Sequence, residues 1–156
     1  MYLLIISAML FPLIVYFMPK RIPRIDLYAT TGIATYFQLL TDTFLHIELN
    51  WYGYFKQWPR SEWGTLWLVP IYLSITPIFL NFYPYKRSKV MMITYIVSWS
   101  LFATIYEWLL DVTGVFYHNQ WKLYDSAMAY PILFILLRLQ LSIVKFLKLK
   151  DSTNKL

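Results

Sequence analysis

The sequence has no cysteine and only four glycines. The absence of cysteine excludes a disulfide framework, a thiolate nucleophile and a thiolate metal site. A glycine-rich phosphate-binding loop is not expected from so few glycines, and the sequence contains no such motif. It also contains no H-E-x-x-H segment and no recognisable arrangement of serine, histidine and aspartate. The residues therefore do not indicate a soluble catalytic domain.

Charged residues are also scarce, at 14% of the chain against roughly 25% in soluble domains. Hydrophobic residues make up 59% of the chain and aromatic residues 21%. A single domain of 156 residues leaves much of its surface exposed, so it could not hide this many apolar side chains from water. A lipid bilayer removes that difficulty. We therefore predict an all-α integral membrane protein.

Five apolar segments approach or reach the length of a membrane-crossing helix. The predicted helices are 2–18, 25–47, 65–82, 90–110 and 127–144. The first segment has no basic residue before it and no small-x-small cleavage site after it, so we interpret it as a retained helix. The predicted fold is one transmembrane helical domain, residues 1–144, built as a bundle of five helices. Residues 145–156 are predicted to form a basic cytoplasmic tail.

Lysine and arginine set the predicted orientation. The net charge of +6 is not arranged as a stripe for nucleic acid, because the basic residues fall in short clusters between apolar segments. Most of them lie on one side of the predicted membrane: Lys20, Arg21, Arg24, Lys86, Arg87, Lys89, Lys145, Lys148, Lys150 and Lys155. The positive-inside rule makes this side cytoplasmic, which places the amino terminus outside and the carboxyl terminus inside. Two aromatic-rich loops then lie on the outer face.

The chain also suggests an internal repeat. Several residues recur 65 positions later without a gap, among them Pro12 with Pro77 and Asp42 with Glu107. Such a repeat predicts two helical hairpins that run in the same sense, plus one extra helix, as in parallel transporter repeats. The identities are few, and an apolar, aromatic-rich composition shared by the two halves is an alternative explanation for them.

Two of the apolar segments carry polar side chains at helical spacing. Gln38, Asp42 and His46 lie four residues apart in the second segment, and Glu107 and Asp111 lie four apart in the fourth. Residues four apart share a helix face, and a carboxylate below the membrane surface is costly and rarely incidental. If the two segments face each other, their side chains converge beneath the aromatic loops. We predict that these five residues form a ligand-binding site near the outer face.

Three chemistries fit such a site. A proton-coupled site would pair neighbouring carboxylates with an imidazole relay. A divalent metal such as Mn²⁺ or Zn²⁺, the one cofactor that the residues suggest, would be held by Asp42, His46, Glu107 and Asp111. A headgroup or sugar site would hold hydroxyl or amine groups beneath tryptophan and tyrosine. A plainer alternative stays open, in which the acids lie near the interface and only set helix register.

Three other polar residues are given structural roles. Arg138 is expected to reach the inner headgroups along its long stem. His118 is expected to be solvated in a loop. Asp26 begins the second helix, where a negative charge suits the positive end of the helix dipole.

Four short motifs resemble an uncharacterised family of small multi-pass membrane proteins from spore-forming Gram-positive bacteria. The motifs are Tyr106-Glu107-Trp108, Thr113-Gly114, Trp121-Lys122-Leu123-Tyr124 and Tyr130-Pro131. The basic turns after Pro19 and Pro84 and the segment with Gln38 and Asp42 are similar too. The resemblance implies a bacterial cytoplasmic membrane location and carries no activity or catalytic residue.

The leading functional prediction is a small membrane protein that binds or passes a small polar or cationic ligand through its acidic cluster. The alternative is a non-catalytic accessory or scaffold subunit of a larger membrane assembly. A membrane-embedded enzyme acting on headgroups ranks third, and no catalytic residue is predicted. The expected partners are the lipid bilayer and either another membrane protein or a second copy of the chain, and not nucleic acid.

Overall fold

The computed structural model describes residues 2–55 and 66–153. Of the residues in these two ranges, 80% are helical, and they form five α-helices, so the predicted all-α class is confirmed. The helices are α1 (Tyr2–Phe17), α2 (Arg24–Thr43), α3 (Leu68–Phe82), α4 (Lys89–Val112) and α5 (Leu123–Thr153). A π-helical turn, Phe44–Glu48, extends α2, and two short strands, β1 (Tyr52–Tyr54) and β2 (Phe116–His118), form an antiparallel pair. The sequence reading predicted neither strand.

The ends of the helices follow local chemistry. Helix α3 stops at Phe82 because Tyr83 precedes Pro84 and takes an extended backbone, φ −59° and ψ 136°. Helix α4 ends at Val112, and Gly114 follows the C-cap residue Thr113 with a φ of 71° that suits glycine. There the amide of Val115 donates to the carbonyl of Leu110 at 2.9 Å, a Schellman closure that reverses the chain. The reversal brings β2 back beside the last turns of α4.

The buried side chains form two clusters at opposite ends of α3. One cluster lies beneath the strands and includes Leu68, Ile71, Leu110 and Phe116. The other surrounds the end of α3 and includes Phe79, Leu80, Tyr83, Phe134 and Leu141, together with Ile22 and Leu27. The strands therefore cover one end of the bundle, and the basic turn after α3 lies at the other.

The structure differs from the predicted bounds mainly at α5. The helix begins at Leu123 instead of 127 and continues to Thr153 instead of ending at 144. Most of the predicted tail is helical because its leucines and lysines favour helix and no glycine or proline interrupts them. The helix predicted at 25–47 is α2 followed by the π-helical turn, and position 65 of the third predicted segment lies outside the described residues.

The element positions follow the spacing of the suggested repeat. Helix α3 ends 65 residues after α1 ends, and α4 begins 65 residues after α2 begins. In each half, a strand follows the second helix after a short connection. The order helix, helix, strand therefore occurs twice along the chain.

Among the helices of the described ranges, α4 and α5 are long and apolar enough to cross a membrane. Only 11% of each apolar stretch is buried inside the protein, whereas the core helix of a soluble protein would be mostly buried. Helices α1 and α3 are apolar but shorter. The length, composition and exposure of α4 and α5 support membrane association.

Candidate functional site

The strands β1 and β2 form a small ribbon that carries most of the polar contacts. Tyr52 lies opposite His118, Gly53 opposite Tyr117 and Tyr54 opposite Phe116. Successive side chains of a strand point to opposite faces, so Tyr52, Tyr54, Phe116 and His118 share one face. Tyr52 and Phe116 belong to the buried cluster beneath the ribbon. This face of the ribbon therefore packs onto the helix ends.

Asp42, in the last turn of α2, is bonded to the first strand. The hydroxyls of Tyr52 and Tyr54 each donate to its Oδ1 at 2.7 Å, and Tyr54 also reaches Oδ2 at 2.9 Å. The Tyr54 hydroxyl lies 3.3 Å from that of Tyr72 on α3. Hydrogen bonds to an ionised carboxylate are among the stronger ones in proteins. We call Asp42, Tyr52 and Tyr54 the Asp42 cluster.

The side chain of His46 contacts the backbone of the same strand. Its Nδ1 donates to the carbonyl oxygen of Tyr52 at 2.9 Å, because a carbonyl can only accept. The imidazole also packs edge-on against the ring of Tyr54, with the centroids 5.5 Å apart. Tyr52 is thus fixed at its hydroxyl and at its backbone by residues from α2 and the π-helical turn. Single-turn π-helices are frequent at functional sites.

Glu107, near the end of α4, is buried and accepts from three side chains. Its Oε1 lies 2.8 Å from Nε2 of His118 and 2.7 Å from the hydroxyl of Ser126. Its Oε2 accepts a short hydrogen bond from the hydroxyl of Tyr130 on α5. Helix α4, helix α5 and strand β2 therefore meet at one carboxylate.

Asp111, one turn further along α4, contacts the same imidazole. Its Oδ2 lies 3.2 Å from Nδ1 of His118. Exposure falls along this line of contacts, from 42% for the side chain of Asp111 to 11% for His118 and 9% for Glu107. We call these three residues the His118 triad. It links the protein surface to a buried carboxylate.

Burial changes the acidity of the ribbon tyrosines. Desolvation, and then the nearby charge of Asp42, raises the pKa of Tyr52 well above its ordinary value. Burial is also the largest cause of the raised pKa of Tyr54. Both hydroxyls therefore keep their protons and remain donors to Asp42 over the whole physiological range.

The predicted site residues fall into two groups and not one. Asp42 and His46 meet on Tyr52, and Glu107 and Asp111 meet on His118. Gln38 is exposed on α2. Among residues 2–55 and 66–153, no three histidine, aspartate or glutamate side chains are arranged to hold a metal ion. The ribbon connects the two groups, because Tyr52 and His118 are register partners.

The expectation that His118 is solvated is wrong. The ring is largely buried and bridges two carboxylates, because the turn at Gly114 folds β2 back along α4. Ser126 was also missed from the sequence, because the fifth helix was predicted to begin after it, and Tyr130 was given no role within that helix. The available signal was Tyr130-Pro131 in the resemblance, which marked the position without giving it a role.

Arg138 and Asp26 lie toward the other end of the bundle. The Arg138 guanidinium stacks over the ring of Tyr85, 4.8 Å from its centroid, and bonds to Ser142. Asp26 is buried and lies 2.9 Å from the ammonium of Lys148. Arg138 therefore links α5 to the turn after α3, and Asp26 links α2 to α5.

The chain matched no protein-family model, no curated protein and no solved structure in three comparisons. Its chemistry must follow from the two groups of contacts. The Asp42 cluster is closed by its own tyrosines. The His118 triad reaches water through Asp111, so it is the part of the site that can exchange a ligand with the surroundings.

Proposed function

We propose that the protein is a small integral membrane protein whose five helices all cross the bilayer, with the amino terminus outside. The exposed apolar faces of α4 and α5 support this arrangement. So does the position of the basic turn Lys86–Lys89, which lies at the end of α3 away from the ribbon. In this arrangement the ribbon faces the outside, and the lipid bilayer surrounds the helices. The family resemblance supports a bacterial cytoplasmic membrane.

The proposed activity is binding of a small polar or cationic ligand at the His118 triad. The observation that carries this proposal is the line of contacts from the partly exposed Asp111, through His118, to the buried Glu107. A buried carboxylate is stable only when other groups balance its charge. Asp111 is accessible to water and would be the first residue that an entering cation contacts. The buried Glu107 would be the second.

The test is thermal unfolding of the purified protein in detergent with sodium, potassium, magnesium, manganese or choline chloride, and over a range of pH. A ligand present at 100 times its dissociation constant stabilises the folded state by about 2.7 kcal/mol. We expect at least one of the salts, or the pH, to shift the midpoint temperature of unfolding. The variant Glu107→Gln should abolish that shift. Asp125→Asn is the matched control, because Asp125 is a partly exposed acid outside the triad that accepts from the backbone amide of Lys122 at the start of α5. Equal responses from both variants would contradict the proposal.

A role as an accessory or scaffold subunit is the second candidate. It is favoured by the Asp42 cluster, in which the tyrosines of the ribbon occupy the carboxylate and leave it a structural role. It is also favoured by the apolar side chains that α4 and α5 leave exposed. For this candidate, Asp42→Asn and Glu107→Gln would both lower stability, and no cation or pH response would depend on either residue.

A further inference from the structure

The direction of the hydrogen bonds around Glu107 can be worked out atom by atom. Trp121 Nε1 can only donate, and it lies 2.7 Å from the hydroxyl oxygen of Ser126. The hydrogen of Ser126 is therefore free to point at Glu107 Oε1, 2.7 Å away. Tyr130 donates to the other oxygen. An ionised carboxylate at Glu107 satisfies all these contacts at once, because it accepts from Ser126, from Tyr130 and from the Nε2 hydrogen of His118.

This assignment leaves the contact between His118 and Asp111 one hydrogen short. A neutral imidazole carries a hydrogen on only one of its nitrogens. If that hydrogen points at Glu107, the lone pair of Nδ1 faces Asp111 Oδ2 at 3.2 Å without a hydrogen atom between the two. One added hydrogen, on Nδ1 or on Asp111, turns this repulsive contact into a hydrogen bond.

We infer that the ligand of the His118 triad is a proton, held between His118 and Asp111. This inference rests on the proposed function and names its ligand. The proton comes from water and forms one N–H or O–H bond without any transfer of electrons. It lowers the formal charge of the triad from two negative charges to one, and Asp111 provides the contact with water.

The other groups around His118 do not supply this hydrogen. Tyr52 lies opposite on β1, but its hydroxyl is bonded to Asp42. The neighbouring ring of Phe116 meets the imidazole edge-on, with the centroids 5.0 Å apart. On α5, Ser126 and Tyr130 both face Glu107. No lysine or arginine of the described ranges 2–55 and 66–153 forms an ion pair with Glu107 or Asp111.

The proton has a structural consequence at the ribbon. With it, β2 is fastened to two successive turns of α4, through Glu107 and Asp111. Without it, only the bond to Glu107 remains, and the exposed carboxylate repels the imidazole lone pair. Uptake of the proton from the outer side therefore tightens the ribbon onto the helices, and release loosens it.

The direct test is nitrogen NMR of the full-length protein in detergent, labelled only at histidine. The chain has two histidines, and His46→Gln leaves His118 as the single signal. The nitrogen shifts and couplings report whether one or both ring nitrogens carry hydrogen or receive a hydrogen bond. Spectra are compared between about pH 5 and pH 8, where histidine side chains ordinarily exchange a proton. Asp111→Asn is the control, because its amide can donate to Nδ1 and removes the need for the added hydrogen.

We expect both nitrogens of His118 to be engaged with hydrogens at the low end of this range, and one engagement to be lost as the pH rises. In Asp111→Asn, added sodium or manganese chloride and the change in pH should leave the spectrum unchanged. A wild-type spectrum with one free nitrogen at every pH would overturn the inference. If sodium or manganese then shifted the signal, the proposed function would survive with a different cation. If nothing shifted it, both would fail.

Discussion

Tyr52 and His118 lie directly opposite each other in the ribbon, and each is bonded to a carboxylate of a different helix. Tyr52 donates to Asp42 at the end of α2, and His118 contacts Glu107 near the end of α4. These two carboxylates are the pair that recurs at the 65-residue spacing of the chain. Each half of the sequence thus fastens its own strand to its own second helix, and the strand pairing joins the halves.

Replacing Tyr52 with phenylalanine tests the Asp42 cluster. The ring and its packing are kept, but Asp42 loses one of its two donors. A hydrogen bond to a charged group contributes about 1.5–3 kcal/mol, so the free energy of unfolding should fall by about that amount. Chemical unfolding in detergent measures it. Tyr124→Phe, at an exposed position on α5, should change stability by less than about 0.5 kcal/mol. Similar losses in both variants would show that the bond to Asp42 contributes nothing particular.

Gly53→Ala tests the register of the ribbon. A methyl group at Gly53 would lie 2.3 Å from the ring tip of Tyr117, so the ring would have to move. Overpacking of this kind costs about 1–3 kcal/mol. Gly32→Ala is the matched control, because no atom lies within 4 Å of its added methyl group, and alanine within a helix stabilises by about 0.5–1 kcal/mol.

The two glycine variants should therefore change the free energy of unfolding in opposite directions. The double variant Gly53→Ala/Tyr117→Ala should lose less than the sum of its two single changes, because the clash is gone. Strict additivity would mean that Gly53 and Tyr117 are not in contact.

Composition and apolar segments were enough to predict the helical class and the five helices, and they singled out the carboxylates that contact the ribbon. Asp42 and Glu107 stood out because each is followed four residues later by another polar side chain, His46 and Asp111 respectively. Such a spacing can be read directly from the sequence. Their partners were not visible. His118 reaches Glu107 only because Gly114 reverses the chain, and a reversal places residues together at no fixed spacing.

The predicted meeting of the two acidic segments shows the same limit. Helix spacing states which side chains share a face, but it does not state which helices are neighbours. The strands that carry Tyr52 and His118 and connect the Asp42 cluster to the His118 triad are three residues long, too short to give a clear alternation of apolar and polar residues. From the sequence alone, Tyr52 and Tyr54 are therefore only members of an aromatic-rich outer loop, and nothing identifies them as donors to Asp42.

High pH should destabilise the ribbon through Tyr52. Burial and the charge of Asp42 raise the pKa of this tyrosine above its ordinary value of 10.0. Above about pH 10 the unfolded chain loses the phenolic proton while the folded protein keeps it, so the stability that this group contributes falls as the pH rises. The free energy of unfolding of Tyr52→Phe should consequently fall less steeply with pH than that of the wild type. Parallel slopes would mean that Tyr52 ionises normally in the folded protein.

Single cysteines test the proposed orientation cleanly, because the chain has no cysteine of its own. Gln120→Cys lies beside the ribbon and Arg87→Cys lies in the basic turn, and both positions are exposed. In intact bacterial cells, a membrane-impermeant maleimide should label the first variant and leave the second unlabelled until the membrane is permeabilised. The reverse pattern would invert the topology, and equal labelling in intact cells would contradict a membrane between the two positions.

The most direct test of the His118 triad as a proton-binding site is the pH dependence of the free energy of unfolding in wild type, His118→Gln and His46→Gln. A folded state that holds one proton more than the unfolded chain loses about 1.4 kcal/mol of stability per pH unit as the pH rises. We predict a decline of up to this slope above about pH 6.5, where a histidine of the unfolded chain loses its proton, for the wild type and for His46→Gln, and its absence in His118→Gln. The same pH dependence in all three proteins would contradict the account.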